Sequence, residues 1–178
     1  MFLGAAAIIV LLIAANALYV AAEFSAVGVR RSHVRRMAED GNSLAKALLP
    51  YVDDAHELDE YVAVSQIGIT LSSLVLGAYA QAAFGAELAP LFERAFSLTP
   101  ETALSAVATT ILISLTALQM VLGELVPKSL ALQFPARVAI GTVLPMRASL
   151  WIFRPLIFLL NGSGTLVLRL FGARSSGD

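Results

Sequence analysis

Three stretches of this chain, residues 2–27, 61–83 and 102–125, are each apolar over at least the roughly 20 helical residues that cross a hydrocarbon core. Nothing else in the sequence restricts the fold so tightly. With no water in the core, the backbone of each stretch has to satisfy its own polar groups, and an α-helix does so within one segment. Composition supports the same class. The 178 residues are 58% hydrophobic and 14% charged, with a mean hydropathy of +0.79, too apolar for a water-soluble domain of this length. The expectation is an all-α integral membrane protein, one transmembrane domain over residues 1–178 with three spanning helices.

Several chemistries drop out early. There are no cysteines, so there is neither a disulfide nor a thiolate metal site, and His33 and His56 have no ligand spacing. The first ten residues lack a basic n-region, which favours a retained span over a cleaved signal peptide; an AxA-like tract at Ala14, Ala15 and Ala17 keeps cleavage as the alternative.

Polar residues inside the spans carry the information. Asn16 and Glu23 are seven apart and so share a face of the first helix. That helix runs into Arg30, Arg31, Arg35 and Arg36, a basic cluster that belongs on the cytoplasmic side. Residues 28–50 alternate arginines with apolar residues around a Gly41–Asn42 turn signal, the pattern of two helices lying at the interface. The acidic run Asp53, Asp54, Glu57, Asp59 and Glu60 reads as a solvated linker with a helix starting near Asp59, the sharper alternative being a cation-sensing surface. In the second span Gln66, Thr70, Ser73 and Gly77 form one stripe, and Ser65, Gly68 and Ser72 the next. Small and hydroxylated stripes also serve close helix packing. Residues 84–101, with two prolines, read as the outer connection. Thr109, Thr116, Gln119 and Gly123 then share a face of the third span and lead to Glu124.

Residues 136–172 are hydrophobic but contain Arg147, Arg154, Pro145 and Pro155. An arginine at the centre of a lipid-exposed span costs at least about 2.5 kcal/mol, which favours amphipathic interfacial helices over a fourth span. With three spans and the N-terminus outside, every one of the twelve Lys and Arg residues except Arg94 is cytoplasmic. The predicted placement is therefore a multi-pass protein of the cell membrane with its C-terminus inside.

The stretch VLGELVPKSL, residues 121–130, holds the sharpest candidate site. Pro127 has no N–H, so a helix broken there leaves the Gly123 carbonyl without its donor, beside the carboxylate of Glu124. Together with the hydroxyls of Ser25, Thr70, Ser72 and Ser73 these oxygens would make a hard-cation site suited to magnesium, calcium or sodium, or a proton relay. Asn16, Glu23, Gln66 and Gln119 are candidates for the pathway, although Glu23 could instead pair with Arg30 or Arg31 near the interface. No phosphate-cradling loop, HExxH or Ser-His-Asp order suggests an enzyme. The basic cluster is better explained as a membrane-surface anchor than as a nucleic-acid site.

Three passages carry a family likeness. AAEFSAVGVRRSHVRRMAEDGN resembles the first-helix exit of the CorC and cyclin-M magnesium transporters, VSQIGITLSSLVLGA their second helix, and VLGELVPKSLAL the signature closing their third. The proline-broken tail PMRASLWIFRPLIFLLNGSG is similar to their approach to the cytosol. The resemblance implies a homodimeric membrane domain with a belt of juxtamembrane helices on the cytosolic side. It implies Mg2+ export by alternating access, with Na+ as the candidate exchanged ion, and Ser25, residues 70–73, Gly123 and Glu124 around the cation. Where cyclin-M relatives carry asparagines in the second helix, this chain has Ile69, Thr70, Ser72 and Ser73. The regulatory cytosolic CBS modules of the family are not among these residues, so the expectation is a transmembrane domain alone. A function of another class, a non-transporting anchor or regulator of other channels, would use the basic belt and tolerate loss of the Glu124 charge.

Overall fold

The computed structural model describes residues 2–170, with side chains over residues 3–157, and the described residues are helical apart from short turns. Helix α1 is Phe2–Gly28, α2 Arg31–Glu39, α3 Ser43–Asp53, α4 Ala55–Phe96 and α5 Pro100–Leu118. A π-helical segment, Gln119–Leu125, leads without interruption into α6, Val126–Gln133, and α7 is Pro135–Leu170.

The polar residues between the helices set their starts. Asn42 caps α3, its Oδ1 accepting from the N–H groups of Leu44 and Ala45 at 3.0 Å each. Gly41 takes a φ of +96°, a conformation that costs a glycine little, and so turns the chain between α2 and α3. Asp54 caps α4 through His56 and Glu57, which moves that helix start to Ala55, ahead of the expected Asp59. Asp53 pairs with Arg35 at 2.6 Å and ties α3 to α2. Two of the five acidic residues therefore act as cap and clasp for short helices.

Helix α4 is the long element, 42 residues against the roughly 20 that a bilayer core requires. It absorbs most of the expected 84–101 connection: Pro90 is carried inside the helix, and only Ser97, Leu98 and Thr99 link α4 to α5. Four helical stretches are long and apolar enough to cross a membrane, one more than the sequence suggested. They are Leu3–Gly28, Ala55–Phe96, Pro100–Gln133 and Pro135–Ile157. In place of several helices broken by proline, residues 135–170 form one continuous helix with Pro145 and Pro155 inside it, and its Pro135–Ile157 part is long and apolar enough to cross a membrane; residues 171 and 172 of the expected tail lie outside the described residues. Arg147 and Arg154, seven apart, line one cleft with Glu57 and Glu60 at the start of α4.

Three apolar clusters hold the helices together. One joins α2 and α3 to the start of α7 through Val34, Leu48, Val52, Ala139 and Val143. A second joins α1, α4 and α7 through Ala22, Ala26, Tyr61, Val64, Met146 and Ile157. The third, at the far end of the bundle, packs Ala80 of α4 against Val107 and Ile111 of α5. Between the second and third clusters the contact between α1 and α4 becomes very close. A Cβ on Gly68 would lie 2.5 Å from the ring of Tyr19, and the Tyr19 hydroxyl is held by Ser149 Oγ at 2.9 Å.

Candidate functional site

Asn16 lies near the middle of α1 and is 2% exposed. Its Nδ2 donates to the carbonyl of Gly123 at 3.0 Å. A carbonyl can only accept, so this bond fixes the orientation of the amide and turns Oδ1 toward α4. There it lies 3.1 Å from Ser72 Oγ and 3.3 Å from Ser73 Oγ. Gln119 completes the group by donating from Nε2 to Ser73 Oγ.

Each serine has only one proton to give. Ser73 Oγ is 2.7 Å from the carbonyl of Ile69, and Ser72 Oγ is 2.7 Å from that of Gly68, both distances shorter than those to Asn16. The protons therefore favour the carbonyls of α4 itself, and Asn16 Oδ1 receives at most a share of the Ser72 proton. The cluster is left with three side-chain oxygens, Asn16 Oδ1, Ser72 Oγ and Ser73 Oγ, that keep lone pairs free in the middle of the bundle. Such a set can accept a hard cation.

The π segment puts the third span within reach. Val126 N–H bonds to the carbonyl of Val121, five residues back, so the span is locally underwound and widened rather than broken at Pro127. Pro127 is buried in the first turn of α6. The Gly123 carbonyl, which Pro127 deprives of its ordinary donor, is the one that Asn16 satisfies. Glycine is required at 123 because a Cβ there would come 2.9 Å from Asn16 Nδ2 and 3.2 Å from Gln119 Cγ.

The other residues singled out in the sequence fall at other places. Glu23, two turns or about 10 Å along α1 from Asn16, has Gln66 as its side-chain hydrogen-bond partner and the Lys128 ammonium as its opposite charge, not Arg30 or Arg31. Lys128 Nζ also sits 4.4 Å from the ring centre of Phe24. Ser25 is fully buried and donates to the carbonyl of Ala22 within α1, about 13 Å from Asn16 by helical rise. Thr70 is exposed and bonds the Gln66 carbonyl of its own helix. Glu124 is exposed, and among the described residues it has no hydrogen bond or ion pair. No three His, Asp or Glu residues come together among the described residues.

Gly123, Ser72 and Ser73 are thus gathered by Asn16 and Gln119, two residues the sequence marked only as pathway candidates. Periodicity could place Asn16 on a polar face but could not say that its amide would reach a carbonyl 107 positions away.

The apolar helices and the polar cluster buried between them define a multi-pass helical membrane domain. Its family is equally plain: the cyclin M transmembrane N-terminal domain matches residues 7–178, and the chain belongs to that family. It is 37% identical over 168 residues to UPF0053 protein YhdT of Bacillus subtilis, an alignment covering 94% of this chain and 35% of YhdT. YugS of the same organism is 34% identical over 170 residues, covering 94% of this chain and 38% of that protein. The Synechocystis protein sll0260 is 32% identical over 168 residues, covering 94% and 36%. The chain therefore spans little more than a third of the length of these relatives.

Proposed function

We propose that this domain carries divalent cations, Mg2+ foremost, across the cell membrane by alternating access around the Asn16, Ser72, Ser73, Gly123 cluster, exporting Mg2+ in exchange for Na+. One observation carries the reading: buried side-chain oxygens of Asn16, Ser72 and Ser73 are gathered near the middle of α1, next to a π segment that itself contains the carboxylate Glu124. Glu124 adjoins Gly123, so it lies at about the same depth as Asn16. A bare carboxylate facing lipid at that depth costs about 2.5 kcal/mol or more. Its exposure on one protomer is resolved if it faces a water-filled vestibule closed by a second copy of the chain, packed on the exposed apolar residues Met120, Val121, Leu125 and Val126.

In this mechanism Glu124 draws in the hydrated cation, and Asn16 Oδ1 and the serine oxygens replace part of its water. Mg2+ releases water reluctantly and demands near-ideal geometry, so it is best served by few, rigid oxygens while it keeps several waters. No covalent step is involved. The Glu23, Gln66, Lys128 group lies nearer the basic end of α1 and forms a second polar level, with Lys128 as the counter-charge that holds the path when no cation is present.

The test is Mg2+ flux in liposomes carrying the wild-type chain, Glu124→Gln or Asn16→Ala, with and without an opposing Na+ gradient. Wild-type flux that depends on Na+ and is lost in both variants is the expected result. Equal flux in wild type and Glu124→Gln would sink the reading. A chain that moves no Mg2+ and binds none by isothermal titration would be a membrane anchor or regulator instead.

A further inference from the structure

A second feature lies outside the cation path, where the end of α1 meets the start of α7. Gly28 there approaches Pro135, a Cβ on the glycine falling 3.9 Å from that of the proline. Around this junction is an open cavity of about 590 Å³ lined by Val29, Arg30, His33, Phe134, Pro135 and Arg137. All its charged residues are basic. Arg30 and Arg137 are exposed and, among the described residues, neither is paired with a carboxylate. The nearby Arg31 and Arg35, in contrast, are engaged by the Asp53 backbone carbonyl and carboxylate.

The rest of the lining is apolar, with Phe134 and Pro135 on one side and Val29 on the other. Helix α2 begins at Arg31 with no side-chain cap, and α7 begins at Pro135, so two helix N-termini border the same cavity. Pro135 has no N–H and His33 N–H is bonded to the Arg30 carbonyl, so what the two N-termini offer an anion is chiefly the positive end of each helix dipole. The cavity also lies at the shared end of Leu3–Gly28 and Pro135–Ile157, two stretches long and apolar enough to cross a membrane, and the end of a spanning helix is where lipid headgroups lie.

We propose that this cavity binds an anionic phospholipid, its phosphate between Arg30 and Arg137 with His33 as an additional donor, and its glycerol and upper acyl carbons against Phe134 and Val29. The apolar lining is what selects a lipid over a free anion: a soluble phosphate would leave Phe134 and Pro135 uncovered. Seated there, the lipid joins α1, α2 and α7 at the one place where Gly28 supplies no side chain to do so.

The test is native mass spectrometry of the delipidated chain in a neutral detergent, titrated with dioleoyl phosphatidylglycerol, dioleoyl phosphatidylcholine or inorganic phosphate. Phosphatidylglycerol is expected to give one tightly held adduct, and phosphatidylcholine to bind about tenfold or more weakly. Millimolar phosphate is expected not to displace the lipid. In Arg30→Gln/Arg137→Gln, affinity should fall about thirtyfold, in line with the usual contribution of a basic residue near an anionic surface. Arg36→Gln removes a charge from the same belt without touching the cavity and should bind like wild type. Equal retention of the two lipids by the wild type overturns the proposal irrespective of the variants. So does displacement by phosphate, or an Arg36→Gln loss as large as that of the double variant.

Discussion

Asn16 and Pro127 should be energetically coupled although they lie on different helices. Pro127 withholds the N–H that the Gly123 carbonyl would otherwise receive, and Asn16 Nδ2 supplies the substitute at 3.0 Å. Asn16→Ala removes this bond and the Oδ1 contacts to Ser72 and Ser73, and leaves the buried Gly123 carbonyl without its side-chain donor. Interhelical hydrogen bonds in membranes contribute about 0.6 kcal/mol on average and about 1.7 at most. An unsatisfied buried group adds about 1–3 kcal/mol. The expected cost of Asn16→Ala is therefore about 2 kcal/mol. In a Pro127→Ala background the backbone can donate to Gly123 again, so the same change should cost about 1 kcal/mol less. The measurement is reversible unfolding of all four proteins in mixed lipid–dodecyl sulfate micelles, followed by circular dichroism. Additivity within about 0.5 kcal/mol, the behaviour of independent sites, would refute the link between the proline and the asparagine.

Further outcomes follow from the same contacts. Gly68→Ala should destabilise the bundle by about 1–3 kcal/mol, because the Tyr19 ring it meets is pinned by Ser149; Gly77→Ala, where nothing lies within 4 Å, should be neutral or stabilising in the same unfolding assay. Asp54→Ala should cost about 1 kcal/mol and raise hydrogen exchange in the first turn of α4 by removing its cap. The chain has no cysteine, so single-cysteine variants report without background. Glu124→Cys should react with a water-soluble thiol reagent in liposomes while Ile113→Cys stays unreactive; equal reactivity would refute an aqueous vestibule at Glu124.

The helical membrane class and the first three spans were legible because each depends on a run of one chain segment, and the solvent imposes it. The Gly41–Asn42 turn was legible for a similar reason, each residue acting on its own backbone. What escaped was whatever depended on a distant partner. Arg147 and Arg154 share a cleft with Glu57 and Glu60, about 90 positions away in sequence, and Glu23 has Lys128 as its opposite charge rather than the arginines near it in sequence. Pro127 was expected to break its helix; a π segment instead spreads the mismatch over the preceding turn, because Asn16 already satisfies the carbonyl that a break would have exposed to water.

That last substitution also bears on transport. A helix broken at Pro127 would present Gly123 to whatever fills the gap, and its carbonyl could serve as a ligand directly. In the observed arrangement the carbonyl is occupied, and its role is to orient the Asn16 amide so that Oδ1, rather than Nδ2, faces Ser72 and Ser73. The polarity of the cluster thus depends on a backbone group in another helix. Any movement of the π segment that separates Gly123 from Asn16 frees the amide to turn, replacing an acceptor with a donor among the serines. A donor repels a cation where an acceptor binds it. In the proposed mechanism, motion of the third span and loss of cation affinity would then be one event, as alternating access requires of a site that must both hold its ion and release it.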